Sequence, residues 1–206
     1  MPASTSRRKR VTKSPEDRRE DLLSAGMSAF GSIGFQQATI EDITKIAGIA
    51  KGTFYLYFDS KDHLLGALWE RYVDRFVQTT EEVLGQGADW RETVDRLLGT
   101  LIEHAVEHAE LHRIVYSSAN GKALEFCKQS NQRVIELLVE YVKSNVDSAG
   151  VGIDLDLACR MIYHAADGVL DDLIARRTAI DVPHVIGTVL TMTHAVLAIP
   201  VDGDRG

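Results

Sequence analysis

Apolar residues recur at intervals of three and four along almost the whole chain, and no stretch alternates with the period of two that a half-buried strand requires. The pattern predicts an all-α protein of about nine helices. In "SPEDRREDLLSAGMSAFGSIGF", Ser14 is placed as N-cap, Pro15 as first helical residue and Asp17 at the capping-box position, with Leu22, Leu23, Gly26, Met27 and Phe30 on one face. This helix should stop between residues 31 and 34. Thr39 and Asp42 form a second capping box, followed by an apolar face of Ile40, Ile43, Ile46 and Ala47. Gly48 suits a tight turn with positive φ, and Ile49 plugs the corner beneath it. A short helix is predicted over 50–57, and Asp59 and Ser60 then cap a fourth. That one carries Leu64, Leu65, Leu68, Trp69, Tyr72, Val73, Phe76 and Val77 in one stripe of about six turns. After "GQGAD", longer helices are expected over 89–108, 119–148, 154–178 and 182–198, with a short one around 111–116.

Composition narrows the class. With 206 residues, 45% hydrophobic and 26% charged, the chain reads as an ordinary globular protein, and no run of eighteen apolar residues suggests a membrane span. The basic N-terminus lacks the apolar stretch of a signal peptide, so a cytoplasmic protein is expected. Cys127 and Cys159 have no C-x-x-C spacing and read as small buried hydrophobes. The net charge of −7 is unevenly spread: residues 1–13 hold five basic residues and no acid, whereas the part beyond residue 63 holds 13 basic against 22 acidic residues. A basic front on an acidic body suits a polyanion partner at the front only, although a solvated tail would look the same.

The segment "GIAKGTFYLYFDSKDHLL" gives that front a shape. Two short helices joined through a glycine turn form a helix-turn-helix, whose second helix enters the DNA major groove. Phe54 and Phe58, four apart, share the face that anchors this helix on the core. Lys51, Gly52, Thr53, Leu56 and Tyr57 are left to face elsewhere. Gly52 permits close backbone approach, Lys51 reaches a phosphate or a guanine edge, and the hydroxyls of Tyr55 and Tyr57 suit phosphate oxygens. Lys61, in the first turn of the next helix, is badly placed for the helix dipole and well placed for a further phosphate.

Residues 14–65 resemble the DNA-binding domain of the TetR-like (tetracycline-repressor) family of bacterial transcriptional regulators. The match lies in Phe-x-x-x-Gly-Phe at the end of the first helix, a Thr before the second, and Ala-Gly-Ile-x-Lys-Gly-Thr-Phe-Tyr-x-Tyr-Phe-x-Ser-Lys. One departure is Ala50, where the family commonly has serine, a lost helix cap of about 1 kcal/mol. The resemblance implies phosphate contacts from Thr39, Tyr55, Tyr57 and Lys61, and base-edge contacts from Lys51, Gly52, Thr53 and Leu56. Arg7, Arg8 and Arg10 would follow the backbone or enter a minor groove. It further implies a basic tail over 1–13, a helix-turn-helix DNA-binding domain over 14–60, and a helical ligand-binding and dimerisation domain over 61–200, joined by the long fourth helix. The expected protein is a non-enzymatic, ligand-responsive regulator, most simply a homodimeric repressor of a palindromic operator in double-stranded DNA. It would be released by a small-molecule effector, be nucleoid-associated when bound, and need no cofactor.

For dimerisation the resemblance points to the last two helices, whose stripes include Ile162, Val169, Leu173, Val189, Met192 and Val196; the same residues suit a monomer core equally well. Candidate pocket residues are Trp69, Tyr72, His108, Tyr116, Phe126 and His164, large or polar groups on apolar stripes. "EHAVEHAELH" also raises a metal question, since His104 and His108 stand four apart. At 100° per residue Glu103, Glu107 and Glu110 face away from that pair, so no metal site is expected.

Overall fold

The structure is a computed structural model that describes residues 13–85, 89–118, 121–146 and 152–197. Among these residues there are nine helices and no strand: α1 (Pro15–Ile33), α2 (Ile40–Ala47), α3 (Lys51–Phe54), α4 (Lys61–Leu84), α5 (Trp90–Glu107), α6 (Ala109–Ser118), α7 (Gly121–Asn145), α8 (Leu155–Ala175) and α9 (Val182–Val196). None is long and apolar enough to cross a membrane.

The helix starts follow the side-chain chemistry. Ser14 and Thr39 each accept a hydrogen bond from the backbone of the residue three on, and the Asp17 and Asp42 carboxylates each accept one from the N–H of the cap, so both capping boxes are complete. The second box holds the Asp42 carboxyl below its usual range, first through the Thr39 hydroxyl and then through the Thr39 backbone N–H. Ser60 caps α4 by accepting from the His63 N–H, and Asp154 and Asp181 cap α8 and α9. Asp89 stands at the start of α5 without a side-chain bond to its backbone. α2 differs from expectation on one face: Ile43 is buried and Ile40 and Ala47 half-buried, but Ile46 is exposed and Thr44 is buried in its place. Thr44 can turn inward because its hydroxyl donates to the Glu41 carbonyl.

α4 is the spine, roughly 36 Å long. Its first turns pack on α1, and further along it lies against α5 and α7, while α8 covers α5, α6 and α7. One contiguous buried cluster runs from Leu22, Phe30 and Phe54 through Leu64, Trp69 and Phe76 to Val142, Leu155 and Tyr163. A smaller cluster of Ile102, Ala105 and Leu170 is covered by Val185, Ile186 and Val189 of α9. Exposed ion pairs brace the spine at both sides, Glu20–Arg71 to α1 and Asp74–Arg133 to α7, each 2.6 Å. Both cysteines are free and buried, and burial pushes the Cys127 thiol up to about 12 and the Cys159 thiol to about 11, as befits hydrophobic filling.

Candidate functional site

Gly48 takes φ 65° and ends α2, with the Ile49 N–H reaching back to the Thr44 carbonyl at 3.0 Å. α3 follows after Ala50, which offers no side-chain cap. The α-helical part is one turn, shorter than the 50–57 expected; from Thr53 onward the N–H groups of Leu56 and Tyr57 bond three residues back, so the chain tightens into 3₁₀-like turns. Phe54 and Phe58 are buried with ring centroids 5.8 Å apart, and Arg19 of α1 lies 5.5 Å over the Phe58 ring. These two rings fix the element on the core.

Its other face is open. Lys51, Gly52, Tyr55 and Leu56 are exposed, Leu56 at 79%, while Thr53 and Tyr57 are half-buried. A Cβ at Gly52 would meet nothing within 4 Å, so no packing inside the protein requires a glycine there. Thr39 is exposed, with its hydroxyl donating to Asp42 at 2.6 Å. Arg7, Arg8 and Arg10 lie outside the described residues.

Lys61 has a different employment from the phosphate contact expected. Its ammonium donates to the carbonyls of Phe35, Gln36 and Ala38 at 2.6, 2.9 and 3.2 Å, and sits 4.8 Å from the Phe35 ring centroid. Three N–H donors meet three acceptors. The lysine pins the α1–α2 loop onto α4, which accounts for a cation at the unfavourable end of the helix without any phosphate.

The body holds a polar interior. Trp69 and Tyr72 of α4 are buried, as expected for pocket residues, and line a cavity of about 10 Å³ with Asn131, Tyr163 and Asp167. The Trp69 indole N–H donates to Asn131 at 2.6 Å, and the Asn131 amide donates to the Tyr116 hydroxyl at 3.3 Å. His112, 2% exposed, bridges Asp171 at 2.9 Å and the Tyr72 hydroxyl at 3.0 Å, joining α4, α6 and α8. Desolvation raises the hydroxyl pKa of Tyr72, Tyr116 and Tyr163 well above the ordinary phenol range.

Three sequence-derived pocket residues stand elsewhere. Phe126 is exposed at 41%, stacked on His63 beside Gly66 at the start of α4. His164 is exposed, its ring edge-on to Tyr163. His108 is at the rim, its Nδ1 within 2.9 Å of the His104 carbonyl. Asn131, Tyr163 and Asp167, which line the cavity, were not foreseen, nor was the His112–Asp171 pair bonded to Tyr72 beside it. A signal was available: Tyr163, Asp167, Leu170, Asp171 and Ile174 repeat at three and four, an inward stripe with two acids in it.

Glu107 does not face away from the histidine pair as its helix position predicts. Ligand atoms of His104, Glu107 and His108 all lie within 4.8 Å of one another, because residues three and four apart are helix neighbours and a glutamate side chain spans the remaining angle. The His104 Nε2 is also within 3.1 Å of the Tyr72 carbonyl, and burial lowers its pKa, favouring the neutral ring.

α8 and α9 together form an open apolar groove of about 530 Å³, into which all six expected interface residues fall: Ile162, Val169, Leu173, Val189, Met192 and Val196. Val169 and Met192 are more than half exposed, so those two are not monomer core, whereas Ile162 and Val189 also pack against the buried clusters.

Comparison with known proteins agrees with this anatomy. The family model of bacterial regulatory proteins, tetR family, matches residues 22–68, which run from the middle of α1 to the first turns of α4. The fatty acid metabolism regulator protein of Bacillus subtilis is 25% identical over 195 residues, covering 88% of this chain and 93% of that protein. The HTH-type transcriptional repressor KstR2 of Rhodococcus jostii is 25% identical over 162 residues, covering 75% and 79%. In structure, the regulator FadR of Bacillus subtilis in complex with stearoyl-CoA superposes with TM-score 0.74 at 20% identity, over 86% of this chain and 98% of that one. The fatty acid degradation regulator FadR of Bacillus halodurans gives 0.74 at 22% identity, over 94% and 98%.

Proposed function

We propose, for a chain that belongs to the tetR family of bacterial regulatory proteins, that it works as a homodimeric repressor whose hold on a palindromic operator is broken by a small molecule. The observation that carries this is the outward face of α3. Lys51, Gly52, Tyr55 and Leu56 stand in solvent on an element that two buried phenylalanines hold still. Such a face has ammonium, hydroxyl and apolar groups for phosphates, base edges and a thymine methyl. Residues 14–60 form the DNA-binding head in this reading, 61–200 the sensing and pairing body, and the basic residues Arg7, Arg8 and Arg10 add sequence-independent attraction. Thr53 and Tyr57 contribute from the edge of the face. Thr39 acts first as a helix cap, and Lys61 shapes the head rather than touching DNA.

A second copy covers the α8–α9 groove. One four-residue helix reads too little DNA for useful selectivity, and a two-fold pair about 34–36 Å apart meets successive major grooves. An apolar groove of this size is also what a symmetric self-complementary contact buries. α4 joins the head to the polar interior through Trp69 and Tyr72, so a ligand that moves α4 changes head spacing. For release, the ligand must bind the DNA-incompetent arrangement better, and ~1.4 kcal/mol per site shifts the balance tenfold. Action by binding rather than catalysis, in the bacterial cytoplasm, completes the reading.

The test is a mobility-shift titration of the full chain on the DNA upstream of its own gene, against unrelated DNA of equal length. Selective binding that weakens steeply with salt is expected. Equal affinity for both DNAs, or none at low salt, contradicts the proposal.

A further inference from the structure

The end of α5 gathers three groups that take no part in the interior cavity. Ligand atoms of His104, Glu107 and His108 lie within 4.8 Å of one another, the two imidazoles half-buried and the carboxylate exposed. None of the three lines the cavity of Trp69 and Asp167. Glu107 and His108 open instead onto a separate pocket of about 180 Å³, shared with Met27 of α1, Arg71 and Arg75 of α4, and Glu110 of α6.

Hydrogen bonds fix the tautomer of both rings. A carbonyl oxygen can only accept, so the His104 Nε2, 3.1 Å from the Tyr72 carbonyl, carries the proton of that neutral ring, and the His108 Nδ1, 2.9 Å from the His104 carbonyl, carries the proton of the other. The second nitrogen of each ring then presents a lone pair. A carbonyl on the far nitrogen is the arrangement that orients metal-ligating histidines and makes them better donors. His104 is also held against the Tyr72 ring, with centroids 4.4 Å apart and planes 20° from parallel.

The donor set selects the ion. Two imidazoles and a carboxylate suit Zn²⁺ and its neighbours, whereas Mg²⁺ and Ca²⁺ take oxygen ligands and Cu⁺ prefers sulfur. Tetrahedral bonds of roughly 2.0–2.1 Å set ligand atoms roughly 3.4 Å apart, so the triad has to close by about 1.4 Å or less, within the reach of side-chain rotation. The adjoining pocket leaves room for water in the fourth position. Of its two arginines, Arg71 is paired with Glu20 at 2.6 Å and Arg75 stands in solvent, while Glu110 adds a second negative charge.

We propose that His104, Glu107 and His108 bind one divalent transition-metal ion per chain, Zn²⁺ by preference, at the corner where α5 passes into α6. This reverses the expectation drawn from helix position, and it holds whether or not the chain acts on DNA. In the regulator reading the ion also stiffens that corner, from which Glu110 reaches Gly31 of α1 so closely that a Cβ there would collide. The head then feels the metal through α6.

The test uses the untagged full chain stripped with EDTA. Zn²⁺ and Mg²⁺ are titrated by calorimetry in a non-chelating buffer, Co²⁺ is followed by its visible absorption, and a melting curve is taken with each. Zn²⁺ is expected to bind once per chain and raise the melting temperature, Mg²⁺ to do neither, and Co²⁺ to develop the strong visible bands of a four-coordinate site. Glu107→Gln, at an exposed position, and His108→Gln should each weaken Zn²⁺ by about tenfold or more, with metal-free melting temperatures like the parent's. Both variants keep His63, His112, His164, His184 and His194, so binding elsewhere on the chain would survive in them. No Zn²⁺ binding by the parent, or binding that is unchanged in both variants, overturns the proposal. Zn²⁺ that binds at the triad and leaves DNA affinity unaltered in a mobility shift supports the site and removes its bearing on the head. A chain that binds the ion and no DNA keeps the site and sinks the regulator reading.

Discussion

In α3 and the turns that follow it Phe54 and Phe58 face inward and Lys51, Tyr55 and Leu56 face water; in α8 Tyr163, Asp167 and Asp171 face inward and Met161, Ile162, Val169 and Leu173 line an open groove. The first arrangement is what the hydrophobic effect gives any surface helix, with function carried by groups left in solvent. The second is reversed, with polar groups on the inward face of α8 and apolar ones open on its outward face. An apolar surface facing water calls for another apolar surface. The head thus presents polar groups to a polyanion, whereas the body presents an apolar groove suited to a second apolar surface.

The comparison breaks most visibly at the head's anchors. Phe54→Ala should cost about 3–5 kcal/mol, lowering the melting temperature by several degrees and abolishing DNA binding, as differential scanning calorimetry and mobility shift would report. If it melts like the parent, the ring is not the wedge described. In the body, Val169→Glu places an unpaired charge in the pairing groove and should weaken the dimer a hundredfold or more, leaving a folded monomer by light scattering. A dimer of undiminished strength would move the interface elsewhere.

Asp167 gives the next effect. Its folded pKa, about 7, lies above the ordinary carboxyl value of 3.8, so the folded chain holds this proton more tightly than the unfolded one. Its contribution is fully present below pH 4 and is lost as pH rises through 7, at up to about 1.4 kcal/mol per unit. Denaturant titrations from pH 4 to 8 should show the parent losing stability relative to Asp167→Asn across that window; parallel curves would contradict a carboxyl that the fold keeps protonated. Smallest is Lys61→Met, which keeps the stem over Phe35 but frees three carbonyls that water can partly reach. It should cost about 1 kcal/mol and loosen the 35–38 backbone in hydrogen exchange. A large loss of DNA affinity with unchanged exchange would restore Lys61 to the phosphate backbone.

The head was legible in sequence because its determinants are local. Two capping boxes, a glycine with positive φ and two phenylalanines four apart specify α2, the turn and α3 with no knowledge of the rest. Lys61 escaped because its acceptors lie 23 to 26 residues away. The body was legible as helices and as stripes, and the α8–α9 stripe proved to be a single groove. Its interior was not, since Asn131 with Trp69 and His112 with Asp171 are 62 and 59 residues apart, and periodicity cannot pair one helix with another. Phe126 and His164 lie on apolar stripes, but a stripe does not say how far round the helix the packed face extends.

The central claim is that the outward face of α3 holds DNA while its inward face holds the fold. Lys51→Ala measures it directly, by fluorescence anisotropy on operator DNA beside a melting curve. The account predicts affinity falling tenfold or more, with a shallower salt dependence and a melting temperature within a degree of the parent. Unchanged affinity, or a loss that only follows unfolding, would contradict it.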